Sequence, residues 1–573
     1  MRSSRTPQVL LLGRLIALAT FCGLPACAIT PSRERMHEPE TAPLIDEAGS
    51  SASLAIARRE YARAVGRGGT RGVASWLRCA EAAFVAMHAD EDSTAREAAQ
   101  LSTECTRRYL ATATRGTRSW QAGLQTAVGG RISLELRDPS RNLARTFRIV
   151  LAEDVPMTMY WGKRNVRPGY GVPVALISPR CDHRRACKLL PVSGVFRSGT
   201  AWVEPGQQGA PARLVVAHPD RTGLARSGSR LWPLAMDSSA FYAAGLDRSP
   251  VGRMSLWSFF GGKSLGRRAG VYLLDDYDPI KRPVVMVHGL ASSPLTWARL
   301  SNEIWADPVL RSHYQIWQLV YQTNDPALVA RLRVEEQLDD AWSELDPEGD
   351  DLARHCMLLV GHSLGGVVAR LLTAESGTGI WNAAFTSSRS ALAGDPTDLA
   401  IVERMYRFKP YPGIERAIFV AAPHRGSPAA DSLLGRLANS LTRQSSTEVA
   451  ALKRVVRRNP GSVPEELRPA LQSGRINGIA TLRASEPVMK ATHKLMPIGI
   501  PFHTIAGELT GAQPPGDGIV PLASALLEGA ESTLLVSHGH NVHENPEAIA
   551  EILRILREAI EHPGASAEGC RRS

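Results

Sequence analysis

A serine held between glycines at the end of an apolar run is the residue in this chain best placed to do chemistry. The stretch Cys356-Met357-Leu358-Leu359-Val360-Gly361-His362-Ser363-Leu364-Gly365-Gly366 reads as a buried strand, a G-x-S-x-G turn and the start of a helix. Such a turn forces Ser363 into a tight backbone conformation with its hydroxyl exposed, and Gly361 and Gly365 leave room for neighbouring chain. The helix N-terminus that follows aims the N–H of Leu364 at negative charge developing beside that hydroxyl. A Ser/Gly turn without flanking elements would merely reverse the chain, but here both strand and helix are present. A serine hydroxyl is a weak nucleophile at neutral pH, so it needs a histidine base, and the histidine needs a carboxylate to fix its tautomer.

Downstream, Gly516-Asp517-Gly518-Ile519-Val520-Pro521 follows the apolar run Phe502 to Ala506 and offers Asp517 as that carboxylate. The alternative is that Asp517-Gly518 merely forms a turn. Asp431 is the reserve candidate, after a different strand. The run Ser537-His538-Gly539-His540-Asn541-Val542-His543 offers three histidines, and chemistry alone does not choose among them. Read as H-x-H-x-x-H it is also a zinc-ligand pattern, although no acidic or cysteine ligand accompanies it. Upstream, Val284-Val285-Met286-Val287-His288-Gly289-Leu290 is a second apolar strand meeting a tight turn.

Taken jointly, these motifs resemble those of bacterial α/β-hydrolase lipases and esterases and of lipases related to the GPI inositol-deacylases, over about residues 270 to 562. The resemblance implies the chain order Ser, acid, His, with Ser363 as nucleophile and Asp517 in the acid loop. Gly539-His540 followed by Pro546 matches the family's last loop, which makes His540 the base and His538 and His543 second choices. The residue after His-Gly supplies the other oxyanion donor, so Leu290 joins Leu364. Ala421-Ala422-Pro423-His424-Arg425-Gly426-Ser427 resembles a strand-end segment of the same families, in which His424 and Arg425 organise the loop. The reaction implied is hydrolysis of a carboxylic ester, a lipid ester or a small soluble one, through an acyl-enzyme and without cofactor or metal. Two alternatives stand beside it: an acyltransferase using the same triad, and a surface adaptor whose hydrolase is vestigial.

The elements that must carry these residues alternate from about Gly270 onward, as in an α/β fold with a mostly parallel sheet and helices on both faces. Short apolar runs predict strands at 271–274, 284–287, 314–320, 356–360, 417–421, 502–506 and 533–536. Helices are expected at 325–344, 364–373 and 546–560; Asn545 caps the last, and Pro546 opens it. The hydrolase domain so delimited is 265–562, with a tail at 563–573. About seventy residues between Ser427 and Ile498 exceed a plain connection and predict a lid or cap. Leu433, Leu434, Leu437 and Leu441 give its first helix an apolar stripe.

Ahead of this lie a helical segment at 51–118, rich in Ala, Arg, Leu and Glu, and a β-rich region at 119–235 with runs such as Ile132 to Leu136 and Ala212 to Val216. Residues 1–26 read as a signal peptide, with Arg2, Arg5 and Arg14 before an apolar run. Leu24-Pro25-Ala26-Cys27 resembles a lipobox, which would leave Cys27 lipid-modified at the head of a linker (27–50); Ala26-Cys27-Ala28 also reads as an ordinary A-x-A site. The expectation is an exported protein of the bacterial envelope, lipid-anchored at the outer membrane. The net charge of +11 is spread along the chain as scattered arginines, so nucleic acid is not an expected partner; a membrane surface is. Hydrophobic residues at 44% and charged residues at 21% fit a folded globular protein. In an oxidising compartment Cys79, Cys105, Cys181, Cys187 and Cys570 could form disulfides, Cys181 with Cys187 first, while Cys356 is expected to be buried and inert.

Overall fold

Two seven-stranded sheets of opposite character organise the molecule. The computed structural model describes residues 47–573 except 117, 158–161, 183, 208, 248–268, 429–445, 469–486, 564–569 and 571–573. The segment expected as a signal peptide, Cys27, Asp431 and residues 433–441 therefore lie outside the described residues.

Three helices, Glu47–Arg67, Val73–Ala86 and Asp92–Ala113, open the described chain, the first starting a few residues before the expected boundary at 51. They cover one face of the first sheet. Its strand order is Trp120–Gln121, Thr146–Leu151, Val172–Ser178, Val195–Glu204, Arg213–Ala217, Gly130–Arg137, Gly123–Ala127, antiparallel throughout except where Gly130–Arg137 meets Arg213–Ala217. Every residue of the central strand Val195–Glu204 is buried. On one side the sheet packs Leu134, Phe147, Val174 and Val216 against helix residues Trp76, Ala80 and Tyr109. On the other, Ala175, Ile177 and Phe196 join a core shared with the helix Ala240–Asp247 and with Val284, Trp297 and Ile316 of the second sheet's layer. Residues Ile45–Ser573 consequently form one compact unit.

The second sheet runs Gly270–Leu273, Tyr314–Val320, Arg282–Val287, Met357–His362, Ile414–Val420, Phe502–Gly507, Ser532–Val536. All neighbours are parallel except the first pair. The four central strands are buried along their whole length, as strands covered on both faces by helices must be. Among the helices, Ala327–Leu345, Leu364–Leu372 and Pro546–Glu561 match the expected segments. The side chain of Asn545 accepts from the N–H groups of Glu547 (2.8 Å) and Ala548 (3.2 Å). Within the long insertion, the helix Thr447–Arg458 buries Val449, Leu452, Val455 and Val456 against Leu364, Val367 and Leu371.

Cysteine chemistry departs from one expectation. Cys79–Cys105 and Cys181–Cys187 are bonded, and Cys356, expected to be inert, is bonded to Cys570. The partner lies 214 residues away, so no local pattern reveals it. The bond ties Cys570, named among the cysteines able to pair, to the foot of the Met357–His362 strand.

A polar cluster joins the two sheets. The buried Asp276 carboxylate accepts from Ser140 Oγ (2.6 Å), Asn142 Nδ2 (3.0 Å), Arg197 Nη2 (3.0 Å), Arg221 Nη2 (3.1 Å) and the Arg141 N–H (3.1 Å). Burial alone would raise its pKa, but Arg197 and Ser140 outweigh that and hold it at about 2.

Candidate active site

In a parallel sheet the C-terminal ends of the strands lie along one edge, and the loops leaving that edge converge. Four of them bring the expected residues together. The strand Met357–His362 ends at Ser363, whose φ of 54° and ψ of −124° lie outside the regions open to most side chains. The turn closes so tightly that a Cβ on Gly361 would sit 2.5 Å from the Gly365 oxygen, and one on Gly365 would sit 2.1 Å from the Val287 oxygen. Glycine is required at both positions. The Ser363 N–H donates to the Val420 oxygen (2.9 Å), fixing the turn to the neighbouring strand.

From Ser363 a chain of hydrogen bonds runs to a carboxylate. Ser363 Oγ lies 2.9 Å from His540 Nε2, and His540 Nδ1 lies 2.8 Å from Asp517 Oδ2. A carboxylate can only accept, so Nδ1 carries the proton and Nε2 is left as the acceptor for the Ser363 hydroxyl. The other Asp517 oxygen accepts from the N–H groups of Ile519 (2.8 Å) and Val520 (2.6 Å), which orients a side chain that is 3% exposed. Of the three histidines in the last loop, His540 alone makes both contacts. His538 Nδ1 meets the Gly539 oxygen (3.0 Å), and His543 packs on Trp297 and on His362. Both ring nitrogens of His540 are thus engaged, by Ser363 and by Asp517. Among the described residues, carboxylates that could share a cation come together at Asp346, Asp350 and Asp351, on the approach to the foot of the Met357–His362 strand.

The loop after Arg282–Val287 lies against the serine: a Cβ on Gly289 would stand 3.0 Å from the Cβ of Ser363. Leu290 follows, half-buried, and its neighbour Ala291 takes a φ of 51° while donating its N–H to Thr323 Oγ1 (3.1 Å). Tyr321 donates to the His288 oxygen (2.6 Å), holding the turn from below. Burial lowers the His288 pKa to about 4, so that ring is neutral and shapes the loop. Leu364, first residue of its helix, has one of the N–H groups for which a helix has no internal acceptor. His424 is buried edge-on to Phe419, and the Arg425 N–H donates to Ser524 Oγ (3.0 Å), tying this loop to the segment that follows Asp517.

One neighbour had no assigned role in the motif. His362 is 5% exposed, and its Nε2 lies 2.9 Å from the backbone oxygen of His540. Burial, with the His543 and His540 rings beside it, holds its pKa well below the ordinary histidine value.

Residues 284–552 match the model of the Alpha/beta hydrolase family. With the strand order and turn geometry above, this makes the C-terminal half an α/β-hydrolase fold. Solved structures resembling it include the Bacillus licheniformis lipase BlEst2 in its propeptide form, at 16% identity over 49% of this chain and 51% of that one (TM-score 0.28). The mature form of the same lipase is 17% identical over 50% and 97% (TM-score 0.27). An esterase B from Lactobacillus rhamnosis, inhibited by a tributyrin phosphonate, is 16% identical over 52% and 84% (TM-score 0.28). The chain thus spans about half the length of the propeptide form. No curated protein sequence matches it.

Proposed function

We propose that the protein is a serine hydrolase that cleaves carboxylic esters through an acyl-enzyme. The observation that carries this reading is the continuous chain from Ser363 Oγ through His540 to Asp517, at 2.9 and 2.8 Å, starting from a strained turn at a helix N-terminus. His540 takes the Ser363 proton as the oxygen attacks the ester carbonyl, and Asp517 stabilises the imidazolium. The N–H groups of Leu290 and Leu364 hold the oxyanion. His540 then protonates the leaving alcohol, and water repeats the sequence on the acyl-serine.

Lipid esters are the substrate class this reading favours. Leu290 packs against an apolar cluster that includes Leu364, Val367, Ile380 and Val463, so the oxyanion turn borders apolar surface suited to an acyl chain. Three disulfides among the described residues support export to an oxidising compartment, and with the leader they support lipid anchoring through Cys27 at the envelope. The test is hydrolysis of p-nitrophenyl esters from C2 to C16 by the full mature chain beside its Ser363→Ala and His540→Ala variants. Activity that rises toward long chains and vanishes in both variants is expected. Activity that survives Ser363→Ala would remove the mechanism, and a preference for C2 would remove the lipid substrate.

A further inference from the structure

The histidine that precedes the serine occupies a position the mechanism above does not use. Its Nε2 faces a backbone oxygen, which can only accept, so Nε2 carries the proton and donates to His540 O at 2.9 Å. The Nδ1 atom is buried with no hydrogen-bond partner among the described residues. Leaving a buried nitrogen unpaired is unfavourable, and a leucine or methionine would fill the same space without that penalty. Among the described residues the carbonyl of His540 is thus the one hydrogen-bond partner of the imidazole, and packing alone does not account for the residue type.

We propose that His362 is a positioning residue: its Nε2–H holds the backbone of His540, so the turn that sets the serine also sets the distance to its base. This rests on the reading of Ser363 and His540 as nucleophile and base. The arrangement is stiff on the serine side, where Gly361 and Gly365 leave no space for displacement. The base side needs such a hold. His540 lies in the stretch between the last strand, ending at Val536, and the helix that begins at Pro546, with only a single 3-10 turn, Val542–Glu544, between. The ring itself is held by Asp517 at Nδ1 (2.8 Å), while the backbone around it is held by Arg299 Nη1 donating to the Glu544 oxygen (2.6 Å) and by the His543 ring, 4.2 Å from the His362 ring. Burial keeps His362 neutral, so the hold persists across the pH range in which His540 works.

The experiment compares His362→Met, which fills the space without a donor, His362→Gln, whose amide can reach the carbonyl, and His362→Asn, whose amide falls short. Each is read by kcat and KM on p-nitrophenyl butyrate, by the rate of fluorophosphonate labelling, and by melting temperature. The Met and Asn variants should lose about 10- to 100-fold in kcat and in labelling rate at nearly unchanged KM. The Gln variant should return to within about fivefold of the parent, a rescue that a space-filling role would not produce. Unchanged kcat in His362→Met, or equal impairment of the Gln and Met variants, overturns the proposal. If His362→Met does not fold, the Gln and Asn pair decides: equal activities overturn it. A Ser363→Ala control that stays active would instead overturn the underlying reading of the site, so the two failures are distinguishable.

Discussion

The two seven-stranded sheets use the same kind of residues and differ in direction. In the N-terminal sheet, neighbouring strands alternate in direction apart from one pair, so its connections are divided between the two ends of the strands. In the C-terminal sheet six strands run the same way, and the loops after Val287, His362, Gly507 and Val536 meet at one edge. The polar groups follow this division. The Asp276 cluster is saturated, with every carboxylate oxygen engaged and a neutralising Arg197 beside it. At the Ser363 edge, the Asp517 carboxylate and the His540 ring form a chain that ends on the Ser363 hydroxyl. The closed ionic cluster makes a joint, and the chain that ends on a nucleophilic hydroxyl makes a site.

The largest effect should come from the parallel edge. Ser363→Ala is expected to lower kcat/KM by about 10⁴- to 10⁶-fold, and Asp517→Asn by about 10⁴-fold through the wrong tautomer, with melting temperatures close to the parent's. Initial rates on a C8 ester and a melting curve for each variant check both halves of that statement.

The same substitution logic applied to the joint should do the reverse. Asp276→Ala removes the buried carboxylate partner of Arg197 and is expected to cost about 3–5 kcal/mol in urea unfolding, with little change in kcat per folded molecule. A pH effect accompanies it. Folding lowers the Asp276 pKa from its unfolded value to about 2, so its stabilisation is fully present above about pH 4 and is lost as pH falls toward 2. Unfolding of the parent across pH 2–5 should show this loss, and Asp276→Ala should lack that part of it. If Asp276→Ala instead removed activity while sparing stability, the division between joint and site would be broken.

Smaller effects sharpen the contrast. Cys570→Ser frees the chain end from Cys356 and is expected to cost about 2–4 kcal/mol under oxidising conditions, with no change once the parent is reduced. Asn545→Ala removes the cap of the last helix and should cost about 1 kcal/mol, read by thermal melting.

Much of the C-terminal half is legible in the sequence because strands buried on both faces read as unbroken apolar runs, and because the G-x-S-x-G turn demands glycines at fixed positions. Its seven strands lie within about three residues of the apolar runs that predict them. The side chains joined at Ser363, His540 and Asp517 are those the motifs single out, although His540 was separated from its two neighbours by family resemblance and not by chemistry. What escaped depends on distance along the chain. Asp276 meets Ser140 and Arg197 across 136 and 79 residues, and Cys356 meets Cys570 across 214, separations at which no periodicity carries information. The joining of the two sheets through Phe196, Ala240 and Val284 was hidden for the same reason. His362 escaped differently: it stands inside the motif at its variable position, where residue type signals nothing until its neighbour is seen.

Ser363 as the nucleophile of an ester hydrolase can be tested by incubating the protein with a p-nitrophenyl alkylphosphonate and mapping the adduct by peptide mass spectrometry. One equivalent of p-nitrophenolate released, with the phosphonyl mass on the peptide carrying Ser363 and none in the His540→Ala variant, is the expected result. An adduct on another residue, or none while ester hydrolysis continues, would contradict it.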